Sequence, residues 1–260
     1  SFATNQLLVN LITASDGLKR FDLQAFSSFV KELMGDRIAG LLHTVNDNVA
    51  DRAKIENGHS KILFGKDIIQ ENLLGLNFQM RMESFFQTNP KCAELLYKKA
   101  LDYVFEEEIS SDKVVLDLFC GTGTIAQLLA KRNSDVSIIG VDIVHEAIED
   151  AKKNAIDNGI TNTTFIASDV GKFLKFNPQY QGKIDTIILD PPRAGIAPKT
   201  LKKVIELEAK KIVYISCNPS TQARDASTLS DVGFTLEKYS LVDQFPHTGH
   251  IESIAKFKKK

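Results

Sequence analysis

"KVVLDLFCGTGTIA", residues 113–126, is the stretch whose reading decides the fold. "KVVLDLF" is an apolar run of strand length, and "IAQLLAKR" (125–132) has the spacing of a helix. Gly121 and Gly123 between them let the backbone turn sharply and approach a ligand closely. The helix that follows offers N–H groups with no partner inside the helix. The same unit recurs downstream. "VSIIGVD" (136–142) precedes "HEAIEDAKKNAIDNG" (145–159), where Ala147, Ile148, Ala151 and Ala155 share a helical face and Asn158–Gly159 forms a stop. "TTFIAS", "IDTIILD" and "KIVYIS" continue the series of strands. Apolar strands alternating with amphipathic helices predict a mostly parallel sheet covered on both faces, a Rossmann-like α/β fold. "FTLEKYSLVD" (234–243) and "IESIAKF" (251–257) lack a helix-length connection and are expected to close the sheet as an antiparallel pair. The first ~80 residues follow another rhythm, with "LLVNLIT", "LQAFSSFVKELM", "IAGLLHTV" and "KILFG" forming a small α/β segment. The expected division is a central segment over 1–82 and a catalytic domain over 83–260. Asn89 and Pro90 start a helix in the latter, as N-cap and first residue.

Composition sets bounds on function. Of the 260 residues, 43% are hydrophobic and 25% charged, as in an ordinary globular protein. No apolar run approaches the ~20 residues of a membrane span. The net charge of −1 excludes a chain that binds nucleic acid by bulk electrostatics. Cys92, Cys120 and Cys217 are too few and too scattered for a disulfide framework or a CxxC metal site, so no metal and a reducing, cytoplasmic setting are expected. The chain begins at Ser1 rather than Met, and part of a longer protein is expected to be missing.

Gly121-x-Gly123-x-x-Ala126 satisfies the dinucleotide fingerprint, which makes a nicotinamide-dependent oxidoreductase a rival reading. Asp117, four residues ahead of Gly121, instead gives the spacing of S-adenosylmethionine sites. A carboxylate there attracts the amino group of a cationic methionine moiety and would repel a pyrophosphate. Asp142, nineteen residues after Gly123, suits the ribose hydroxyls of either cofactor. "IILDPPRAG" puts Asp190 at the carboxyl end of another strand, where ligands of open α/β sheets bind. Pro191 and Pro192 carry the chain stiffly out of the sheet, and Arg193 is placed to contact phosphate or RNA. In "VYISCNPST" Cys217 holds the equivalent place on the next strand. With Asn218 as cap and Pro219 at N1, the helix end beyond Cys217 is expected to lower its thiol pKa. An inert core cysteine is the alternative for Cys217, and packing is the better reading for Cys120.

Together "SFFQTN", "DLFCGTG", "DPPRAG", "SCNP" and "FPHTGHIES" resemble the S-adenosylmethionine-dependent RNA uracil-C5 methyltransferases, in that family's order, from about Glu83 to the C-terminus. The resemblance implies a class I methyltransferase sheet, Cys217 as nucleophile and Glu252 as proton acceptor. It implies cofactor contacts at Gln87, Phe119, Thr124, Asp142 and Asp169, beside Asp117, Gly121 and Gly123. Asp190 would lie between the cofactor methyl and the target base. Asp142 stands where Glu is usual, and Thr124 often appears as Asn in relatives. Members commonly carry an N-terminal RNA-binding barrel, and some an iron–sulfur cysteine cluster; neither is in this chain. "SCNPSTQARD" and "FPHTGHIES" look closer to the ribosomal RNA members than to the tRNA members, so rRNA is the expected partner of a monomeric enzyme.

The nicotinamide reading leaves Asp117, Asp190, Cys217 and Glu252 without work. A non-catalytic RNA-binding module is the third reading, and the low net charge opposes it. Cys217 and Glu252 can meet only if the last strands fold back beside the Cys217 strand. Otherwise Glu252 is an exposed carboxylate on an edge strand. His247 and His250 read as structural, and Phe85 and Phe86 as core residues or as platforms for a base.

Overall fold

The computed structural model describes residues 1–47, 59–82 and 85–260. Two compact units divide the chain, Ser1–Phe86 and Gln87–Lys260. The expected boundary after residue 82 falls at Glu83 and Ser84, the latter the first residue of "SFFQTN", and both lie outside the described residues.

In the first unit β1 (Leu7–Thr13) pairs in parallel with β2 (Ile38–Val45) through the amphipathic helix α1 (Leu23–Met34), and β3 (His59–Gly65) lies antiparallel to β2. Asp22 caps α1 by accepting from the amides of Gln24 and Ala25. β4 (Ile68–Leu73) and β5 (Leu76–Arg81) form a hairpin. Its two-residue turn, Leu74–Gly75, has φ of 49° and 75°, the positive values that match the twist of the flanking strands. Phe86 packs against the buried ring of Phe78 at 6.4 Å, while Phe85 is 78% exposed.

The second unit opens with α2 (Pro90–Val104), and Asn89 caps it by accepting from the Cys92 amide. There follow β6 (Val114–Leu118), α3 (Thr124–Arg132), β7 (Ser137–Asp142), α4 (His145–Asp157), β8 (Thr163–Ala167) and the short α5 (Phe173–Phe176). β9 (Ile184–Leu189), α6 (Pro198–Ile205), β10 (Lys211–Ser216), α7 (Pro219–Asp231), β11 (Phe234–Val242) and β12 (Glu252–Lys259) complete it. The seven strands lie in the order β11-β12-β10-β9-β6-β7-β8. β10, β9, β6, β7 and β8 are parallel, and β12 runs antiparallel to both β10 and β11. The last strand therefore does not form an edge. It enters between β10 and β11, and its residues from Glu252 to Phe257 are buried.

Two of the glycines are explained by packing. A Cβ on Gly123 would lie 2.5 Å from the Phe165 ring and 2.9 Å from the Ala151 Cβ. One on Gly140 would meet the same ring at 2.6 Å. Gly123 lets α3 and α4 close on β7 and β8. Gly121 has φ of 52° and open space around its Cβ position, so the left-handed turn rather than packing accounts for the glycine there. Gly123→Ala should cost on the order of 2–3 kcal/mol in urea unfolding, from overpacking added to the strain at φ 73°. Gly159→Ala, at φ 66° in open space, should cost only about 1 kcal/mol.

Candidate active site

Parallel strands deliver their carboxyl ends to one edge of the sheet, and most of the polar residues singled out above collect there. Asp117 is the penultimate residue of β6 and Asp142 the last of β7, while Asp169 lies two residues beyond β8. Asp190 follows β9 and Cys217 follows β10. β12 runs the other way, so its first residue, Glu252, starts at the same edge. Ser216 pairs with Ser253 at the end of the β10–β12 ladder, so Cys217 follows one member of that last pair and Glu252 precedes the other, close enough for the Glu252 charge to act on the thiol. The buried Ser253 hydroxyl locks this register through the Ser216 carbonyl (3.1 Å) and Gln222 Oε1 (2.8 Å).

Burial dominates the electrostatics. It pushes Glu252 up to about 6, against the nearby charge of Arg193. Burial, then the charge of Glu252, pushes Asp190 up to about 7. Cys217 departs from the sequence expectation. Asn218 does cap α7, accepting from the Ser220 amide with Pro219 at N1. The thiol nevertheless lies above its ordinary range, because burial and the charges of Glu252 and Asp190 outweigh the opposing influence of Arg193. The helix end alone does not make a thiolate here.

Asp117 is fully buried, and its Oδ2 accepts from the Ala126 amide at 3.0 Å, closing the first turn of α3. Its Oδ1 is buried with no hydrogen-bond partner. Burial, then Asp190 and Asp142, hold this carboxyl well above the carboxylate range. An orphaned acceptor among like charges calls for a cationic donor, which the amino group of S-adenosylmethionine would be. Asp142 accepts from the amides of Gly121 and Val144, both at 2.9 Å, and so shapes the loop that a nucleoside would meet. Phe119, half-exposed at φ 65°, and Thr124, first in α3, flank that loop. Asp169 is exposed.

Three further residues, none of them singled out from the sequence, lie beside these groups. Gln244, from the β11–β12 connection, donates to Gln87 Oε1 (3.3 Å) and to the Asn89 carbonyl (3.1 Å), and its own buried Oε1 has no partner. The Tyr97 phenol, from α2, is buried within the influence of Gln87. Burial, Asp190, Glu252 and Asp117 hold that phenol above its usual range, which puts Tyr97 at the centre of the acidic group. Its spacing with Ala93, Ala100 and Val104 marks only a core face. Asp225, mid-helix in α7, accepts from the Tyr214 phenol (2.8 Å) and the Ile196 amide (3.1 Å). The Phe245 ring meets His250 edge-on at 6.4 Å. Among the described residues no helix is long and apolar enough to cross a membrane.

A seven-stranded sheet with one reversed internal strand and acidic residues at the ends of β6 and β7 defines the class: the S-adenosylmethionine-dependent methyltransferase fold. A SAM-dependent methyltransferase structure from Agrobacterium tumefaciens covers 84% of this chain and 77% of its own at a TM-score of 0.57 and 18% identity, which shows the fold. The chain belongs to the tRNA (uracil-5-)-methyltransferase family, whose model matches residues 42–260. A tRNA (uracil-54, C5)-methyltransferase structure from Pyrococcus abyssi, in complex with S-adenosyl-L-homocysteine, is 29% identical at a TM-score of 0.71, over 97% of this chain and 56% of its own. An uncharacterized RNA methyltransferase from Clostridium acetobutylicum is 42% identical over 99% of this chain. The chain spans about half the length of these two relatives, 54% of the Clostridium protein.

The raised carboxyl groups have a consequence for stability. Asp190 rises from the ordinary 3.8 to about 7 on folding, so its contribution is complete below the ordinary value and is lost as pH rises through 7. Asp190→Asn, neutral at every pH, should therefore exceed the wild type in urea unfolding at about pH 8, by on the order of 1–2 kcal/mol after discounting its partial exposure. The difference should shrink towards zero at about pH 4.

Proposed function

We propose that this chain is the catalytic part of an RNA (uracil-C5)-methyltransferase that uses S-adenosylmethionine, with residues 83–260 as the catalytic domain. One observation supports the reading: a thiol, Cys217, and two carboxyl groups, Glu252 and Asp190, lie within electrostatic reach of one another at the same edge of the sheet, next to the last pair of the β10–β12 ladder. Uracil C5 is a poor nucleophile. The Cys217 thiolate adds to C6, and the C5–C6 π pair moves towards O4, leaving C5 enolate-like. When bound, S-adenosylmethionine supplies C5 with an electrophilic methyl group from its sulfonium. Glu252 then takes the C5 proton, the C5–C6 double bond reforms, and the C6–S bond breaks with its electron pair returning to Cys217. A carboxyl near 6 is matched to accepting that proton at neutral pH. Asp190, near 7, retains a proton part of the time and holds the uracil edge.

Asp117, Gly121, Asp142 and Asp190 would hold the cofactor, with Gln87, Phe119, Thr124 and Asp169 around it. The orphaned Asp117 Oδ1 supports that assignment. The motif likeness supports a ribosomal RNA target, while the Pyrococcus abyssi relative is by its description a tRNA enzyme. With the full-length protein, 5-fluorouridine RNAs should form a persistent adduct, since fluorine does not leave as a proton. Ribosomal and tRNA loops are to be compared in denaturing gels, and the ribosomal loop should trap more. Cys217→Ala should trap nothing, and Glu252→Gln should accumulate adduct on unmodified uridine while turnover falls by about 10²–10⁴-fold. Methyl transfer that survives in Cys217→Ala contradicts the proposal.

A further inference from the structure

The thiol of Cys217 sits in an acidic place. Glu252 faces it from β12 and Asp190 from the end of β9, and both oppose a thiolate. The cation whose charge favours the thiolate is Arg193, and its backbone is tied to the residue next to Cys217. Arg193 belongs to a loop that is fastened on both sides. Before it, Pro191 and Pro192 stiffen the exit from β9. The Arg193 carbonyl accepts from Asn218 Nδ2 at 3.1 Å, and Asn218 is the neighbour of Cys217. After it, the Gly195 amide closes a turn onto the Pro192 carbonyl at 2.8 Å. The Ile196 amide then donates to Asp225, 2% exposed on α7. Arg224 bonds both Asp225 Oδ1 (2.9 Å) and the Ile196 carbonyl (3.2 Å). Gly195, at φ 73°, lets the loop lie this close: a Cβ there would be 2.7 Å from the Arg224 guanidinium and 2.9 Å from Thr221. One helix therefore orders both the residue after the thiol and the loop that carries the cation.

We propose that Arg193 is a catalytic residue that stabilises the Cys217 thiolate, held in place by the Asp225–Arg224 brace. The proposal rests on the reading of Cys217 as nucleophile. The thiol proton leaves to water, and the negative charge on Sγ meets the guanidinium rather than two carboxylates alone. As Sγ bonds to C6 the charge passes into the ring. At the end, when the C6–S bond breaks, the electron pair returns to Sγ beside the same guanidinium, so Arg193 assists the leaving thiolate as well.

Site-resolved alkylation tests this without RNA or cofactor. The full-length protein is treated with iodoacetamide between about pH 6 and pH 10, and the Cys217 peptide is quantified by mass spectrometry. Arg193→Ala should move the midpoint upward and slow alkylation at about pH 8 by roughly 3- to 10-fold, with Arg193→Lys between it and the wild type. Arg193 is exposed, so both variants should keep the wild-type circular dichroism. An unchanged or lowered midpoint in Arg193→Ala overturns the proposal. So does a variant whose only defect is a raised KM for RNA, which would make Arg193 an RNA contact. If methyl transfer survives Cys217→Ala, the nucleophile reading fails instead, and the catalytic role of Arg193 falls with it.

Discussion

The reversal of β12 is the constraint on which the site depends. Six strands running one way would supply only carboxyl ends, and a base could reach Cys217 only from a loop. One antiparallel strand between β10 and β11 presents its amino end at the same edge, and its first residue is Glu252. The position requires burial on both faces, and β12 meets that with Ile254, Ala255 and Phe257 in the core. Its buried Lys256 needs partners, and finds them in Glu106 (2.8 Å) and Glu237 (3.1 Å). On the neighbouring strand Lys211, equally buried, reaches Asp185 (3.4 Å) and the Val104 carbonyl (3.1 Å). These pairs hold β12 in place less by net stabilisation than by the cost of any register that would strand a buried ammonium.

The site edge has the opposite character. Asp117, Asp190, Glu252 and the Tyr97 phenol crowd together and are all raised, by burial first, with neighbouring carboxylates adding to Asp117, Asp190 and Tyr97. Such an edge is electrostatically costly in the free protein and complementary to a cationic ligand, a pattern frequent in functional sites. It also separates roles. Arg193 reaches Cys217 and Glu252, favouring charge on both, whereas Asp190 and Asp117 lack that relief in the free protein.

Much of this was legible in the chain because local rules apply there. The apolar runs before Asp117, Asp142 and Asp190, and the caps at Asn89 and Asn218, follow from spacing and residue type, and the sheet follows from their alternation. The reversal of the last strand was legible from its short connection, but its place between β10 and β11 was not. That depends on which two strands can bury both faces of "ESIAKF". The packing role of Gly123 was not legible, because its neighbour, the Phe165 ring, lies forty-two residues away in sequence. The Cys217 thiol was misread because a helix end is visible locally, whereas the carboxylates opposing it come from two other strands. Tyr97 and Gln244 carry no motif signal, whereas Asp225 ends "SCNPSTQARD" but its contacts with Tyr214 and Ile196 join segments far apart in sequence.

The central claim is that Cys217 and Glu252 act in sequence on one pyrimidine, the first opening C5 to methylation and the second removing its proton. Tritium release from RNA containing [5-³H]uridine, measured beside methyl incorporation, tests it most directly. The account predicts one tritium lost per methyl gained, dependent on S-adenosylmethionine. Methyl incorporation without tritium release would contradict it, since the methyl group would then lie on some atom other than C5.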